Sequence, residues 1–154
     1  MGSYFLDSSA ITKRYVLEQG QAWILTLCDP AHGHELYISQ IALVEVVAAV
    51  CRRTRERSVT IAERDKLINI FRQDCQNAYD IWPVTDALCT TAGNLCRLHI
   101  LRAYDAVQLA CVLGLRDIAL GNLAPAPTFV SADNNLINIA ATEGLDVENP
   151  NNYP

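Results

Sequence analysis

The chain has 154 residues and a formal net charge of −5, with 51% hydrophobic and 19% charged residues. That length suits one domain, and the apolar content excludes disorder and collagen-like or low-complexity architecture. No stretch reaches about 18 uncharged apolar residues, so the sequence predicts no membrane span. The acidic balance argues against a whole-surface grip on nucleic acid, unless carboxylates are gathered in one place around metal. With no leader or lipidation motif, we expect a cytoplasmic protein.

Predicted strands and helices alternate along the chain. In chain order they are a strand at 3–6, helices at about 9–18 and 20–28, a strand at 36–39, helices at about 40–57 and 60–78, a strand at 81–84, helices at about 86–97 and 103–120, a strand at 127–131, a helix at 133–143 and a short strand at 146–148. Ser39 is positioned to cap the helix that follows it. Thr60 and Glu63 have the spacing of a capping box.

Apolar strands that alternate with helices indicate a parallel sheet covered on both faces. We therefore expect an α/β fold: one three-layer α/β/α domain over residues 1–148, with a mainly parallel central sheet of four to five strands. The Asn/Pro tail at 149–154 is expected to be loose. The six cysteines have no CxxC or metal-finger spacing, and we expect buried free thiols.

Four acidic residues lie where such a fold would bring side chains together. Asp7 and Asp133 follow predicted strands, at the end of a parallel sheet where ligands bind. Asp105 begins an apolar helix, and Glu45 lies inside another. Each has a purely structural alternative: helix N-caps for Asp7 and Asp133, a favourable helix dipole for Asp105, and a private salt bridge for Glu45.

Together the four carboxylates predict a metal site. Two like charges about 4 Å apart repel by roughly 4 kcal/mol at an effective dielectric near 20, so a cluster needs protons or a hard cation. Oxygen ligands without His or Cys select Mg²⁺ or Mn²⁺, which support phosphodiester hydrolysis by a metal-activated water.

Polar and basic residues near these acids are candidates for binding a polyanion. Ser8, Ser9 and Ser131 are predicted to orient a carboxylate or bind a phosphate oxygen, with plain cap or turn residues as the alternative. Lys13, Arg14 and Arg102 are placed to contact phosphates. The arginines between 52 and 57 either extend that track or form a solvated helix end, and the pattern favours the solvated end.

With these residues in view, the sequence resembles the PIN-domain nucleases, and within them the VapC-like toxins of toxin–antitoxin pairs. The resemblance spans residues 3–148 and rests on four segments in family order: Tyr4 to Tyr15, Ser39 to Glu45, Leu101 to Ala110, and Phe129 to Asp133. It implies a PIN fold with Asp7, Glu45, Asp105 and Asp133 as catalytic and metal-binding residues. It also implies a divalent-metal endoribonuclease that cleaves RNA as a homodimer and is inhibited by a cognate antitoxin. The Asn134-Asn135 pair after Asp133 departs from the family pattern.

Other classes of protein fit less well. A dehalogenase-like phosphatase needs a second Asp where Ser9 stands, and a receiver domain needs a late lysine, whereas Lys66 is the last in the chain. The glycines of a P-loop or dinucleotide site are missing. The remaining alternative is a non-catalytic PIN-fold module that binds RNA or protein. Metal-dependent cleavage that is lost in Asp7→Asn separates the two.

Overall fold

A five-stranded, all-parallel sheet forms the centre of the computed structural model, which describes residues 1–153. The strands are β1 (Ser3–Leu6), β2 (Glu35–Ser39), β3 (Asp80–Trp82), β4 (Thr128–Val130) and β5 (Val147–Glu148). The helices are α1 (Ser8–Ile11), α2 (Gln21–Leu27), α3 (Ala42–Arg55), α4 (Ile61–Asn77), α5 (Asp86–Leu98), α6 (Ala103–Gly121) and α7 (Asn134–Thr142). Short 3-10 turns follow at Thr12–Arg14, Pro30–His32 and Pro150–Asn152. The predicted α/β class is confirmed, with five strands.

The strand order β3-β2-β1-β4-β5 places β1 at the centre of the sheet. The chain builds β1 to β3 outward in one direction and then crosses to β4 and β5 on the other side. The carboxyl ends of β1 and β4 are therefore neighbours at the point where the winding reverses, which is where open parallel sheets bind ligands. The strand β3, which is followed by Pro83, forms one edge of the sheet, where a proline removes no ladder hydrogen bond from a central strand.

Two apolar clusters cover the two faces of the sheet. Alternate side chains of a strand point to opposite faces, so Phe5 packs with Phe129 and the helices α5 to α7, while Leu6 packs with Val130 and the helices α1 to α4. All four side chains are fully buried. This layering fixes β1 and β4 rigidly and thereby fixes the residues that follow them.

Local sequence signals set several of the helix boundaries. Thr60 accepts a hydrogen bond from the Glu63 backbone, and the Glu63 carboxylate accepts one from the Thr60 backbone, which confirms the capping box of α4. At the start of α5, the Thr85 hydroxyl accepts a hydrogen bond from the Leu88 backbone, which is a simple N-cap without the reciprocal bond. The predicted cap of α3 by Ser39 is wrong: its hydroxyl accepts a hydrogen bond from the Ile41 backbone, but α3 begins only at Ala42, with Ile41 at the N-cap and no side chain capping it.

The helix predicted over 9–18 is wrong beyond its first turns. After α1 the chain tightens into the 3-10 turn Thr12–Arg14, and the next α-helix begins only at Gln21. The buried Lys13 ammonium donates to the Gln19 carbonyl, so the backbone must curl back rather than continue as a helix. Tertiary contacts override helix propensity here.

The expectation of a loose tail is wrong for residues 149–153. The side chain of Asn149 is buried and donates to Asn134, and Tyr153 stacks on Trp23 with ring centroids 4.7 Å apart. The tail also packs at Gly20, where an added Cβ would lie 2.2 Å from the Pro150 carbonyl oxygen. Residue 154 lies outside the described residues.

All six cysteines are free, as predicted, but they are not all buried. Cys28 and Cys111 are buried, whereas Cys89 and Cys96 on α5 are exposed. Within residues 1–153, no single helix is both long and apolar enough to cross a membrane, although the bent pair α5 and α6 would pass that test together.

Candidate active site

Asp7 directly follows the central strand β1 and is the most buried acid of the site. Its backbone N–H donates to the Val130 carbonyl, which ties it to β4, and its side chain caps α1. Ser9 and the Ala10 N–H donate to Asp7 Oδ1 at 2.7 and 2.9 Å, and Ser131 donates to Oδ2 at 2.8 Å. The carboxyl is only 4% exposed, and this burial raises its pKa to about 6 against the lowering effect of those hydrogen bonds.

Glu45 lies in the first turn of α3 and faces the same cleft. Its Oε1 accepts hydrogen bonds of 2.9 Å from the Ser8 hydroxyl and from the Gln108 amide. Gln108 Nε2 also donates to Ser8 at 2.8 Å, so three elements meet at one carboxylate oxygen. The predicted alternative, a private salt bridge to Arg or Lys, is not formed within residues 1–153. Glu45 also adds to the raised pKa of Asp7 through its charge.

Asp105 and Asp133 share one cation. Arg102 Nε donates to Asp105 Oδ2 at 2.8 Å, and Arg102 Nη2 donates to Asp133 Oδ2 at 3.3 Å. The hydrogen bond to Asp105 and the charges of both carboxylates raise the pKa of Arg102. Asp133 Oδ1 accepts from the Leu136 backbone as the N-cap of α7, so the capping alternative holds for Asp133 as well.

The four predicted acids line one open cleft of about 630 Å³ at the carboxyl ends of β1 and β4. The protein itself supplies much of the balancing charge. Five carboxylates line the cleft (Asp7, Glu18, Glu45, Asp105 and Asp133) together with four basic side chains (Lys13, Arg52, Arg55 and Arg102). The cleft is therefore mixed in charge, with acids at its floor.

Three of the residues predicted to contact substrate have other roles. Arg14 lies outside the cleft lining, where it donates to Tyr79 and pairs with Asp74, so the structure does not bring it to the cleft with the other predicted phosphate contacts. Ser131 is fully buried and donates to Asp7, which is the carboxylate-orienting role among its predicted alternatives. Lys13 lines the cleft, but its ammonium already donates to Glu18 and to a backbone carbonyl, and burial lowers its pKa.

Ser8, Ser9 and Arg102 line the cleft as predicted. The two serines donate to Glu45 and Asp7, which is the carboxylate-orienting role among their predicted alternatives. Ser9 also accepts from the Ala132 backbone and so links the loop before Asp133 to the start of α1. Their contacts with a substrate stay predictions.

Gln108 is a side chain of the candidate site that the sequence analysis missed. It is 1% exposed, and it follows Asp105 by three residues, so both lie on the same face of α6. Glu45 was identified as a polar residue inside an otherwise apolar helix, and the same signal is present at Gln108 in α6. Gln108 Oε1 is buried without a hydrogen-bond partner within residues 1–153. A buried polar atom without a partner lowers the stability of the fold, so a glutamine at this position calls for an explanation other than packing.

The donor set suits a hard divalent cation in its chemistry. All four carboxylates offer oxygen, and Glu45 Oε2 and Asp105 Oδ1 accept no hydrogen bond within residues 1–153. Their present spacing is not that of a ligand set, however: in the described part of the chain no three Asp, Glu, His or Cys side chains are grouped for a metal ion. The assignment of these residues as metal ligands stays a prediction.

Comparison with known proteins relates this chain to one family, although no protein-family model matches it. Two proteins of Mycobacterium tuberculosis, Ribonuclease VapC45 of strain CDC 1551 and Ribonuclease VapC49 of strain H37Rv, are each 31% identical to it. Each match covers 75% of this chain and 78% of the relative.

Solved structures share the fold at lower identity. The structure of VapBC2 from Rickettsia felis bound to a promoter DNA fragment matches with a TM-score of 0.58 and 17% identity, over 96% of this chain and 98% of that chain. FitAcB from Neisseria gonorrhoeae matches with a TM-score of 0.62 and 15% identity, over 96% and 97%. The PIN-like fold is thus confirmed, and the identity to the mycobacterial proteins shows that the chain belongs to the VapC ribonuclease family.

Proposed function

We propose that this protein is a divalent-metal-dependent endoribonuclease and the toxin of a toxin–antitoxin pair. The observation that carries the proposal is the cleft at the carboxyl ends of β1 and β4, where Asp7, Glu45, Asp105 and Asp133 all face one open volume. The mycobacterial relatives are named as ribonucleases, which supports hydrolysis of RNA as the reaction.

The four acids and the side chains that hydrogen-bond to them would have different roles in the reaction. Asp7, Glu45 and Asp105, with Asp133 beside them, would hold Mg²⁺ or Mn²⁺. That ion supplies a water of lowered pKa and offsets the charge of the scissile phosphate. Ser9 and Ser131 hold the Asp7 carboxylate in one orientation, and Ser8 with Gln108 does the same for Glu45. These donors lie on α1, directly after β4 and on α6, so the packed fold holds the Asp7 and Glu45 carboxylates in defined orientations before substrate binds.

The proposal includes two protein partners and a location. The neighbouring VapBC and FitAB structures are complexes, which supports a cognate antitoxin for this chain. We place the pair in the cytoplasm. A homodimer is supported by apolar side chains left exposed on α3 and next to Arg102: Val44 at 69%, Leu98 at 74% and Ile100 at 93% exposure.

Cleavage of RNA by the purified, antitoxin-free protein tests the proposal. Total RNA is incubated with and without Mg²⁺ or Mn²⁺, beside Asp7→Asn and Glu45→Gln variants whose folding is checked by circular dichroism. We expect discrete fragments that need the metal and that are absent with both variants. Fragments that are unchanged in both variants, or that form equally in EDTA, would contradict the proposed mechanism.

A second function is favoured by the spacing of the carboxylates and by Arg102, which already neutralises Asp105 and Asp133. In that case the protein is a PIN-fold module that binds RNA or protein without cutting. RNA that is bound by the wild-type protein but left intact at saturating Mg²⁺ and Mn²⁺ would select it.

A further inference from the structure

One face of α3 extends the acidic cleft away from the sheet. Glu45, Ala48, Ala49, Arg52 and Arg55 all line the cleft. Their spacing of three, four, seven and ten residues from Glu45 keeps them close to one side of a helix. At a rise of 1.5 Å per residue, Arg52 lies about 10 Å and Arg55 about 15 Å along the helix axis from Glu45.

Ala48 and Ala49 leave this face of α3 without bulky side chains. Each presents only a methyl group between the carboxylate of Glu45 and the first arginine, so no side chain blocks the passage along α3. The result is a groove that is acidic where it meets the strands and basic at its far end. An extended ligand that enters the acidic floor therefore passes over the two arginines.

The side chains of Arg52 and Arg55 form no strong ion pair, unlike those of the other arginines near the site. The Arg52 side chain is 64% exposed, and its single ion pair, to Glu56, has the limiting length of 4.0 Å. Exposed pairs of that kind contribute little. The Arg55 side chain is exposed and makes no hydrogen bond or ion pair within residues 1–153. In contrast, Arg53 on another face of α3 is paired with Glu18, and Arg102 is held by two carboxylates.

We propose that Arg52 and Arg55, the α3 arginine pair, form a phosphate-binding subsite for the backbone of single-stranded RNA beyond the scissile bond. This rests on the proposed ribonuclease function. Arginine forks match phosphate oxygens in a bidentate way. A ligand with repeated phosphates would suit both ends of the groove, with one phosphate at the cation of the acidic floor and a later one at the arginines. Tyr104, 62% exposed on the rim, offers the stacking surface that unpaired bases use.

Binding of RNA by the uncleaving Asp7→Asn protein tests the subsite. An end-labelled single-stranded RNA is titrated by fluorescence anisotropy over a series of salt concentrations. Adding Arg52→Gln and Arg55→Gln together should weaken binding about tenfold at low salt. The slope of log K against log salt should fall by about 1.4, since each lost phosphate contact on a single strand removes about 0.7.

The control is the pair Arg72→Gln and Arg97→Gln in the same background. Both residues are exposed, on α4 and α5, and neither lines the cleft, so the net charge changes equally. We expect less than about a twofold change in affinity and an unaltered slope. Equal thermal midpoints for both double variants exclude unfolding as the cause.

The outcomes separate the subsite from the function on which it rests. If Asp7→Asn binds RNA and the two double variants behave alike, the α3 subsite is wrong while the ribonuclease proposal stands. If Asp7→Asn does not bind RNA and the wild-type protein does not cleave it, both proposals fail together. Loss of affinity and slope in the α3 double variant alone supports the subsite.

Discussion

The two halves of the cleft hold their carboxylates in different ways. Asp7 is 4% exposed, and neutral donors that include the Ser131 hydroxyl fix it from the protein interior. The side chains of Asp105 and Asp133 are 19% and 30% exposed, and both depend on the guanidinium of Arg102, whose side chain is itself 78% exposed.

The buried half of the cleft, at Asp7, is therefore preorganised, whereas in the exposed half, at Asp105 and Asp133, the bound guanidinium can be replaced. Buried hydrogen bonds from neutral donors hold Asp7 without neutralising it, so its charge remains available to a cation. The Arg102 ion pairs lie in water, where such pairs contribute only about 0 to 1 kcal/mol and where another cation can replace the guanidinium. The buried half should therefore dominate activity, and the exposed half should tune it.

Asp7→Asn tests the buried half and should have the largest effect. Asparagine retains the N-cap of α1 but cannot supply a negative charge to a cation. We expect cleavage of RNA to fall by about a thousandfold or more. Single-turnover assays with excess protein measure this loss, and a variant that retains a tenth of wild-type activity would contradict the leading role of Asp7.

The same substitution should stabilise the metal-free protein. Because burial raises the pKa of Asp7 from 3.8 to about 6, the ionised carboxylate opposes folding above pH 6. Wild-type stability attributable to Asp7 is thus complete below about pH 4 and is lost as the pH rises through about 6. In EDTA at about pH 7.5, Asp7→Asn should unfold with a free energy up to about 3 kcal/mol higher. Urea denaturation should show this difference shrink toward about pH 4.

Gln108→Leu tests whether the neutral donors of the buried half matter. Leucine has a similar size but donates no hydrogen bond to Glu45 or Ser8, so the carboxylate loses its orientation. We expect kcat to fall by up to about a hundredfold with little change in KM, because positioning is lost and binding is not. A variant whose KM rises while kcat is unchanged would assign Gln108 to substrate binding instead.

Asp133→Asn tests the exposed half against the buried one. Asparagine caps α7 as well as aspartate does, so thermal stability should be nearly unchanged. Because water screens this carboxylate, we expect cleavage to fall only about tenfold, which corresponds to about 1.4 kcal/mol in the barrier. An effect as large as that of Asp7→Asn would remove the distinction between the halves.

Arg102→Gln should give the smallest changes in binding, and it should change the affinity for Mn²⁺ and the affinity for RNA in opposite directions. Removing the guanidinium releases Asp105 and Asp133, so affinity for Mn²⁺ should rise about twofold to fivefold. Affinity for RNA in EDTA should fall by a similar factor, because a cation is lost from the cleft. A decrease in both affinities would show that Arg102 supports the carboxylates rather than competing for them.

The sequence was sufficient to predict the fold class and the acids of the cleft. Asp7 and Asp133 follow apolar strands, and the ends of adjacent parallel strands must meet. Glu45 was identified because an isolated charge in an apolar helix needs a cleft or a partner. Both inferences use only strand direction and burial, which the residue pattern reports directly.

Side-chain direction was harder to predict. Arg14 follows Lys13 in a 3-10 turn whose direction depends on contacts made by residues far along the chain, such as Asp74 and Tyr79. The α3 arginines were expected at a solvated helix end, and only the packed position of α3 shows that Arg52 and Arg55 line the cleft. Short-range patterns carry no information on such rotations.

Binding of Mn²⁺ in the absence of RNA is the most direct test of the central claim, that the buried carboxylates hold a divalent cation. Electron paramagnetic resonance counts free Mn²⁺ during a titration of the wild type, Asp7→Asn, Glu45→Gln and the exposed control Asp117→Asn, which lies outside the cleft. We expect saturable binding by the wild type and the control, and none by the two cleft variants. Equal binding by all four proteins, or no binding by the wild type, would contradict the account.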